Sequence, residues 1–417
     1  MALWTILLVF VALSVCYSFA TRLKYGPDEP AHFIYVRSIA TTLRPPPISH
    51  SVVANENSAS SHEGHQPPLY YAAMALPFAL LDALGVPSDA IWRVLRLLGI
   101  LIGVAWIYFV YRLASEFFES ESYALATAAF VALIPTASYM SGVISNDVLI
   151  SLLFTWALWL ILAYFKCGTM SSRSAALLGL VTGLAVLTKG QGLVLVPVLL
   201  TAAFCVCRRH GYTDYKDASR AVLVALGVTA AVSGWWFVRM WAIHGSAMPH
   251  SLYSPALPSG MLSLLVYPAT GAELVAIETG SLLGYFWIPF WLVRPFLHWA
   301  TYYYPMVALN LITLAGLVPR LRRKPQPDVR SLALLAFAAA LTYAAVLRYL
   351  LVVDSHLALQ GRLFLPIAAV TGIICVLGFD GWLRSARAKR IGFATGLTLM
   401  LLANVAVIRC ALALYAG

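Results

Sequence analysis

Residues 147–166 read DVLISLLFTWALWLILAYFK, one acidic residue, eighteen uncharged residues rich in Leu, Ile, Phe and Trp, then a lysine. A helix needs about 20 apolar residues to cross the hydrocarbon of a bilayer. The stretch is therefore read as a transmembrane helix with Asp147 at one boundary and Lys166 at the other. Which boundary faces out decides the topology, because every further crossing alternates from it.

Working outward, equivalent spans fall near 2–20, 92–112, 122–142, 174–189, 191–208, 218–240, 298–318, 331–353, 363–383 and 391–415. The 417-residue chain is 61% hydrophobic and 11% charged, with a mean hydropathy of +0.82. Soluble domains carry about 25% charged residues, so a soluble enzyme, a disordered chain and a nucleic-acid-binding module are excluded. The six cysteines lie in or against apolar segments, without disulfide or zinc spacing.

The net charge is +11, from 28 Lys and Arg against 17 Asp and Glu. Basic residues cluster at Lys166/Arg173, Arg208–Arg220, Arg320–Arg330 and Arg384–Arg390. Cytoplasmic loops of membrane proteins are enriched in Lys and Arg. Placing all four clusters inside makes every intervening number of crossings even, and removes nucleic acid as a needed partner. Two more apolar stretches, 67–85 and 272–292, break this parity if they cross. Both are read as interfacial or re-entrant. Residues 2–20 resemble a signal peptide ending Ser18-Phe19-Ala20, but lack a basic start, so an uncleaved first span is expected.

The expected fold is an all-α integral membrane bundle of about eleven transmembrane helices in a single domain, 1–417. Two large outer regions, 21–91 and 241–297, carry surface helices. Eight of the nine histidines, all but His210, fall on the outer side. Asp28, Glu29, Glu63, Asp147, Glu273, Glu278 and Asp354 join them there. Titratable groups that do not mark topology thus collect on one face, where chemistry is expected.

Gly26-Pro27-Asp28-Glu29-Pro30-Ala31-His32 directly follows the first span. Pro30 suits the first turn of a helix and acids favour its N-terminus, so 30–42 reads as a short surface helix. Capping needs one acid; two with His32 one turn along exceed it. His62-Glu63-Gly64-His65 offers metal-binding side chains, though Gly64 and Pro67-Pro68 oppose the helix that would align them. Ser145-Asn146-Asp147 opens the 147–166 span. Lys189, Arg239, Arg348 and Arg362 stand at outer helix ends, against the positive-inside trend. Snorkelling explains one such cation; several at different helix ends fit an anionic partner better. A phosphate-bearing lipid has its head at that depth. The aromatic run 285–291 reads as an interfacial belt.

Pro27-Asp28-Glu29-Pro30-Ala31-His32, His65-Gln66-Pro67-Pro68-Leu69-Tyr70-Tyr71, Ser145-Asn146-Asp147, Leu187-Thr188-Lys189, Trp235-Trp236-Phe237-Val238-Arg239 and Gln360-Gly361-Arg362 occur in this order. Together, over residues 20–370, they resemble a bacterial family of multi-pass proteins related to the GT-C glycosyltransferases. The resemblance implies a bacterial cytoplasmic-membrane enzyme with its active site facing the periplasm or exterior. It implies a polyprenyl-phosphate-linked sugar donor and transfer with inversion. It places Asp28 and Glu29 at the catalytic acidic site and Asp147 at a second acidic site.

The expected catalytic residues are Asp28 and Glu29. His32, His65, Asp147, Lys189, Arg239 and Arg362 are the expected substrate-binding residues. Asp28 acts as general base if partial burial or Glu29 raises its pKa, or because the acceptor hydroxyl becomes acidic as the bond forms. No cofactor is required by the residues themselves; a divalent metal, held for example by Asp28 and Asp147, is compatible with them. The acceptor, which is a glycan, lipid or protein, stays open, because the sequence shows no large soluble C-terminal domain. The alternative expectation is a transporter or flippase of a lipid-linked saccharide, although no internal repeat is visible.

Overall fold

A computed structural model of the chain describes residues 2–49, 58–210, 215–249, 299–352 and 360–415, with 287, 289 and 292 between them. The segment 272–292 and most of the outer region 241–297 lie outside the described residues, as do Glu273, Glu278 and Asp354. Among the described residues the chain is helical, with one isolated bridge pairing Ile48 and Ser61.

The helices are α1 (Ala2–Ala20), α2 (Glu29–Thr42), α3 (Leu69–Ala83), α4 (Ser88–Phe117), α5 (Glu121–Ala132), α6 (Pro135–Ser141), α7 (Asp147–Cys167) and α8 (Ser172–Thr188). They continue as α9 (Leu195–His210), α10 (Tyr215–His244), α11 (Trp299–Arg322), α12 (Val329–Val352), α13 (Ala368–Trp382) and α14 (Ala386–Tyr415). Among the described residues nine helical segments are long and apolar enough to cross a membrane, or ten with the α5–α6 pair. The expected span 122–142 is that pair, bent by 65°. Pro135, at the first turn of α6, has no N–H to continue the α5 ladder. The expected span 174–189 is α8, whose 17 residues leave it outside that set as a shorter apolar helix.

α7 lies at the centre, packed on α4, α8 and α9. The Trp106 indole of α4 donates to Thr155 of α7 at 3.2 Å. Elsewhere small residues let helices approach. Gly316 of α11 faces Gly378 and Gly381 of α13 so closely that a methyl on any of them would overlap the facing backbone. Between apolar helices, which lipid solvates as well as neighbours do, such close packing drives association.

The ends of the bundle differ in charge. At one end Lys166 donates to the Glu116 carbonyl at 2.5 Å, and Arg209 to the Phe165 carbonyl at 3.3 Å. There too the buried Asp380 is held by Arg320 at 2.8 Å, by Lys389 at 2.5 Å and by the Tyr123 hydroxyl at 2.6 Å. Residues of all the expected cytoplasmic clusters thus gather there. α3 begins and ends at the opposite end. The Ser145 N–H donates to Tyr70 at 3.1 Å near its start, and Asp89, just past its end, pairs with Lys24 at 3.3 Å. This is the arrangement a non-crossing 67–85 requires.

Candidate active site

The chain turns sharply after α1. Asp28 takes the left-handed conformation (φ 54°), which Asp tolerates better than most residues. Glu29 then opens α2, with Pro30 in its first turn. The turn sends the neighbouring carboxylates in opposite directions. Asp28 keeps 28% of its side chain exposed, whereas Glu29 has none exposed.

Glu29 is fully committed. Arg96 of α4 grips it in a bidentate pair at 2.7 and 2.7 Å. The Gly26 and Ile144 amides donate to the same oxygens at 3.1 Å each. Arg96 also donates to the Ser18 and Thr21 carbonyls, at 2.6 and 2.8 Å. The expectation that Glu29 shares the chemistry and lifts the Asp28 pKa meets this arrangement: its charge is neutralised inside the fold.

Asp28 faces a cationic cluster assembled at helix breaks. Arg362 lies on a 3₁₀ turn, Gly361–Ile367, ahead of α13. Its guanidinium binds Asp28 Oδ2 in close contact, and its Nη1 lies 3.4 Å from Asp147 Oδ2. Gln360 orients it by accepting from Nε. Asp147 opens α7, where Ser145 Oγ accepts from its amide at 3.2 Å and donates to Oδ2 at 3.0 Å. Lys189, at the break between α8 and the 3₁₀ turn Gly190–Val194, closes on Asp147 Oδ1 at 2.5 Å. Two carboxylates and two cations therefore form one chain of charge: Asp28, Arg362, Asp147, Lys189.

The histidine motif reaches the same place. Residues His62–His65 form a 3₁₀ turn, with Gly64 pressed against the Pro46 and Pro47 carbonyls where a side chain would collide. That turn aims His62 Nε2 at Asp28 Oδ1 (3.3 Å) and Glu63 Oε1 (3.7 Å). His65 turns away: its Nδ1 bonds the His62 carbonyl at 2.7 Å and its Nε2 meets Gln66. His32 bonds the Tyr71 hydroxyl at 2.9 Å and stacks on that ring.

The electrostatics follow. Burial works to raise the Asp28 pKa, but Arg362 and the His62 hydrogen bond outweigh it and hold Asp28 well below the usual carboxylate range. The expected upward shift is thus corrected: an ion pair, rather than apolar burial, governs this carboxyl. Glu63 is also lowered, since His32 and His62 overcome the effect of burial. Burial lowers His32 and His65. It would lower His62 as well, but the Asp28 hydrogen bond and Glu63 raise it.

Asp28, His32, Asp147, Lys189 and Arg362 are brought together as expected, with His65 at the edge. Arg239 stands apart, its guanidinium 5.3 Å from the Trp236 ring and with no carboxylate partner among the described residues. His62 and Glu63, read from the sequence as metal-binding side chains and not as neighbours of Asp28, join this cluster, whereas Arg96 escaped sequence reasoning. Arg96 carried a signal, a charge inside an apolar span, which is costly without a partner.

The residues present fit a divalent cation. Asp28, His62 and Glu63 each offer a ligand atom within 4.8 Å of the others, and His62 Nδ1 is buried without a partner. Imidazole with carboxylates suits zinc or a similar ion. The pairing of Asp28 with Asp147 around a metal is corrected, because the Arg362 guanidinium sits between them.

The model of the dolichyl-phosphate-mannose-protein mannosyltransferase family matches residues 65–235, less than half of the chain. The oligosaccharyltransferase of Archaeoglobus fulgidus, solved with Zn and sulfate, superposes with a TM-score of 0.55 at 14% identity, over 99% of this chain and 53% of that one. The fold is that of the GT-C glycosyltransferases. The same archaeal protein, AglB, in complex with an inhibitory peptide and a dolichol-phosphate, gives 0.51 at 16% identity, covering 99% of this chain and 55% of that chain. The arabinofuranosyltransferase AftD from Mycobacteria gives 0.50 at 19% identity, over 96% of this chain and 27% of that one. The chain thus spans about half the length of the archaeal enzyme. No curated protein matches it by sequence.

Proposed function

We propose that the chain is an inverting glycosyltransferase that moves a sugar from a polyprenyl-phosphate donor to an acceptor hydroxyl at the outer face of a membrane. The observation that carries this is the charge chain Asp28–Arg362–Asp147–Lys189, at the end of the bundle opposite the basic clusters. It is built at breaks in membrane-spanning segments, where a lipid phosphate can reach it while the tail stays in the bilayer. The match to a family whose members use dolichyl-phosphate-mannose, and the dolichol-phosphate held by AglB, support such a donor.

In the reaction the acceptor oxygen bonds the anomeric carbon as the bond from that carbon to the phosphate oxygen breaks. The phosphate leaves with the electron pair and Asp28 takes the acceptor proton. Asp28 tied to Arg362 is a poor base. The donor phosphate relieves this by drawing Arg362 and Lys189 to itself, which leaves Asp28 and Asp147 less compensated and raises their basicity. Glu29 does not take part; it anchors the loop that presents Asp28. Arg239, on α10, serves the more distal part of the donor. A divalent cation held by Asp28, His62 and Glu63 would add positive charge beside the leaving group.

The test is turnover of a polyprenyl-phospho-sugar by purified protein, with separate binding of the sugar-free polyprenyl phosphate. Asp28→Asn should lower kcat by about 10²–10⁴ while binding the phosphate lipid at least as tightly, because a competitor for Arg362 is gone. Arg362→Ala should lose that binding. Undiminished turnover by Asp28→Asn would remove the base assignment. If the wild type moves the lipid-linked sugar across vesicles without consuming it, the chain is a transporter.

A further inference from the structure

His32 sits in the first turn of α2, 2% exposed, with its ring in the fields of Glu63, Asp28, Arg362 and Asp147. One ring nitrogen is already engaged: Nδ1 lies 2.9 Å from the hydroxyl of Tyr71, a fully buried residue of α3. We propose that Tyr71 is a positioning residue that fixes His32 as a neutral hydrogen-bond donor, with its Nε2–H offered to a hydroxyl oxygen of the transferred sugar. The ligand in this proposal rests on the glycosyl-transfer reading above; the tautomer does not.

The hydrogen-bond pattern sets the tautomer. Burial holds the Tyr71 hydroxyl well above the ordinary phenol range, so it keeps its proton. Among the described residues His32 Nδ1 is its only hydrogen-bond partner. Were Nδ1 to carry the ring proton, the buried hydroxyl hydrogen would have no acceptor, which is costly. Tyr71 therefore donates to Nδ1, and the single proton of the neutral ring is on Nε2. The surroundings agree. Burial keeps the ring neutral against the pull of Glu63 and Asp28, and an N–H is stabilised beside carboxylates where a lone pair is not. The donor is also held rigidly: Tyr71 stacks on His32 and, at 3.8 Å and 7°, on Tyr35, whose hydroxyl donates to the Gln66 carbonyl at 2.9 Å.

This tautomer divides the work of the site. A neutral imidazole with a free lone pair is a stronger base than a carboxylate and a good cation ligand. With Nδ1 taken by Tyr71 and Nε2 protonated, His32 is neither. The acceptor proton is left to Asp28, and cation ligation to His62. The chemistry of the partner follows from charge. Glu63 and Asp28 outweigh Arg362 at the ring, so His32 suits a neutral hydroxyl, whereas a phosphate is drawn to Arg362 and Lys189.

The test uses the full chain in detergent with isotope-labelled imidazole nitrogens, the His32 resonances being those lost in His32→Gln. In the wild type they should show a pyridine-type Nδ1 and a pyrrole-type Nε2. Tyr71→Phe keeps the ring stack and removes the hydroxyl. It should release His32 into a mixture of tautomers and lower kcat/KM for a polyprenyl-phospho-sugar several-fold. Binding of the sugar-free polyprenyl phosphate should stay unchanged, which a merely structural role would not allow. His32→Gln, which retains an N–H donor, should keep more turnover than His32→Phe. A pyrrole-type Nδ1 in the wild type, or an unaltered tautomer in Tyr71→Phe, overturns the proposal. Equal weakening of the sugar-free lipid overturns the sugar as the partner. Failure of the wild type to turn over any such donor removes the glycosyl-transfer reading instead, and is read independently of the tautomer.

Discussion

The carboxylates of Asp28 and Glu29 leave the backbone one residue apart and end in environments that assign them different work. Glu29→Gln leaves the Arg96 guanidinium unpaired in a site with no exposed surface. Breaking a buried pair costs about 3–5 kcal/mol, so this variant should lower the thermal midpoint sharply in detergent, whereas Asp28→Asn should leave it nearly unchanged. Equal destabilisation by the two would show that they share one role. The histidines supply a second measurement at this scale. His32 is held neutral by burial, below its ordinary value of 6.5. Its unfolded form therefore binds a proton that the folded form refuses, and stability falls as pH drops through about 6.5. His32→Gln should flatten that acid limb of the midpoint. His62, shifted upward, works in the other sense: its contribution is present at low pH and fades as pH rises through its folded value.

At the scale of elements, the site depends on helices that stop. Lys189 sits where α8 gives way to a 3₁₀ turn, and Arg362 lies in the 3₁₀ turn that leads into α13, which lets each cation face its neighbours away from a regular helix surface. Gly190 and Gly192 beside Lys189, and Gly361 and Pro366 around Arg362, are the sequence marks of those breaks. The histidine motif shows the limit of such marks. Gly64 argued against a helix, and correctly, but the 3₁₀ turn that forms instead aims His62 and Glu63 at Asp28. That contact spans 34 residues of sequence, so local pattern had no access to it. The α11–α13 crossing gives a test of packing. Gly378→Leu should force these helices apart at Gly316 and lower the midpoint, while Gly396→Leu, where a side chain meets open space, should be neutral.

For the whole molecule, charge distribution sets orientation. A membrane-impermeant thiol reagent should reach Ser172→Cys from the cytoplasmic side and Ser58→Cys from the outer side, in a background without other cysteines. Reversed labelling would put the candidate active site in the cytoplasm and remove a donor presented on the outer face. Sequence by itself was enough to establish the membrane class, the positions of the nine or ten spans found among the described residues and the separation of basic loops from the acidic, histidine-rich face. Those properties follow from transfer of side chains between water and lipid, which each segment undergoes on its own. Tertiary structure alone decided that Glu29 is an anchor, that Arg362 stands between Asp28 and Asp147, and that His62 replaces Asp147 beside Asp28. Each of these depends on which charges end within a few ångströms of one another in a low-dielectric interior, and only the packing of distant helices sets those distances.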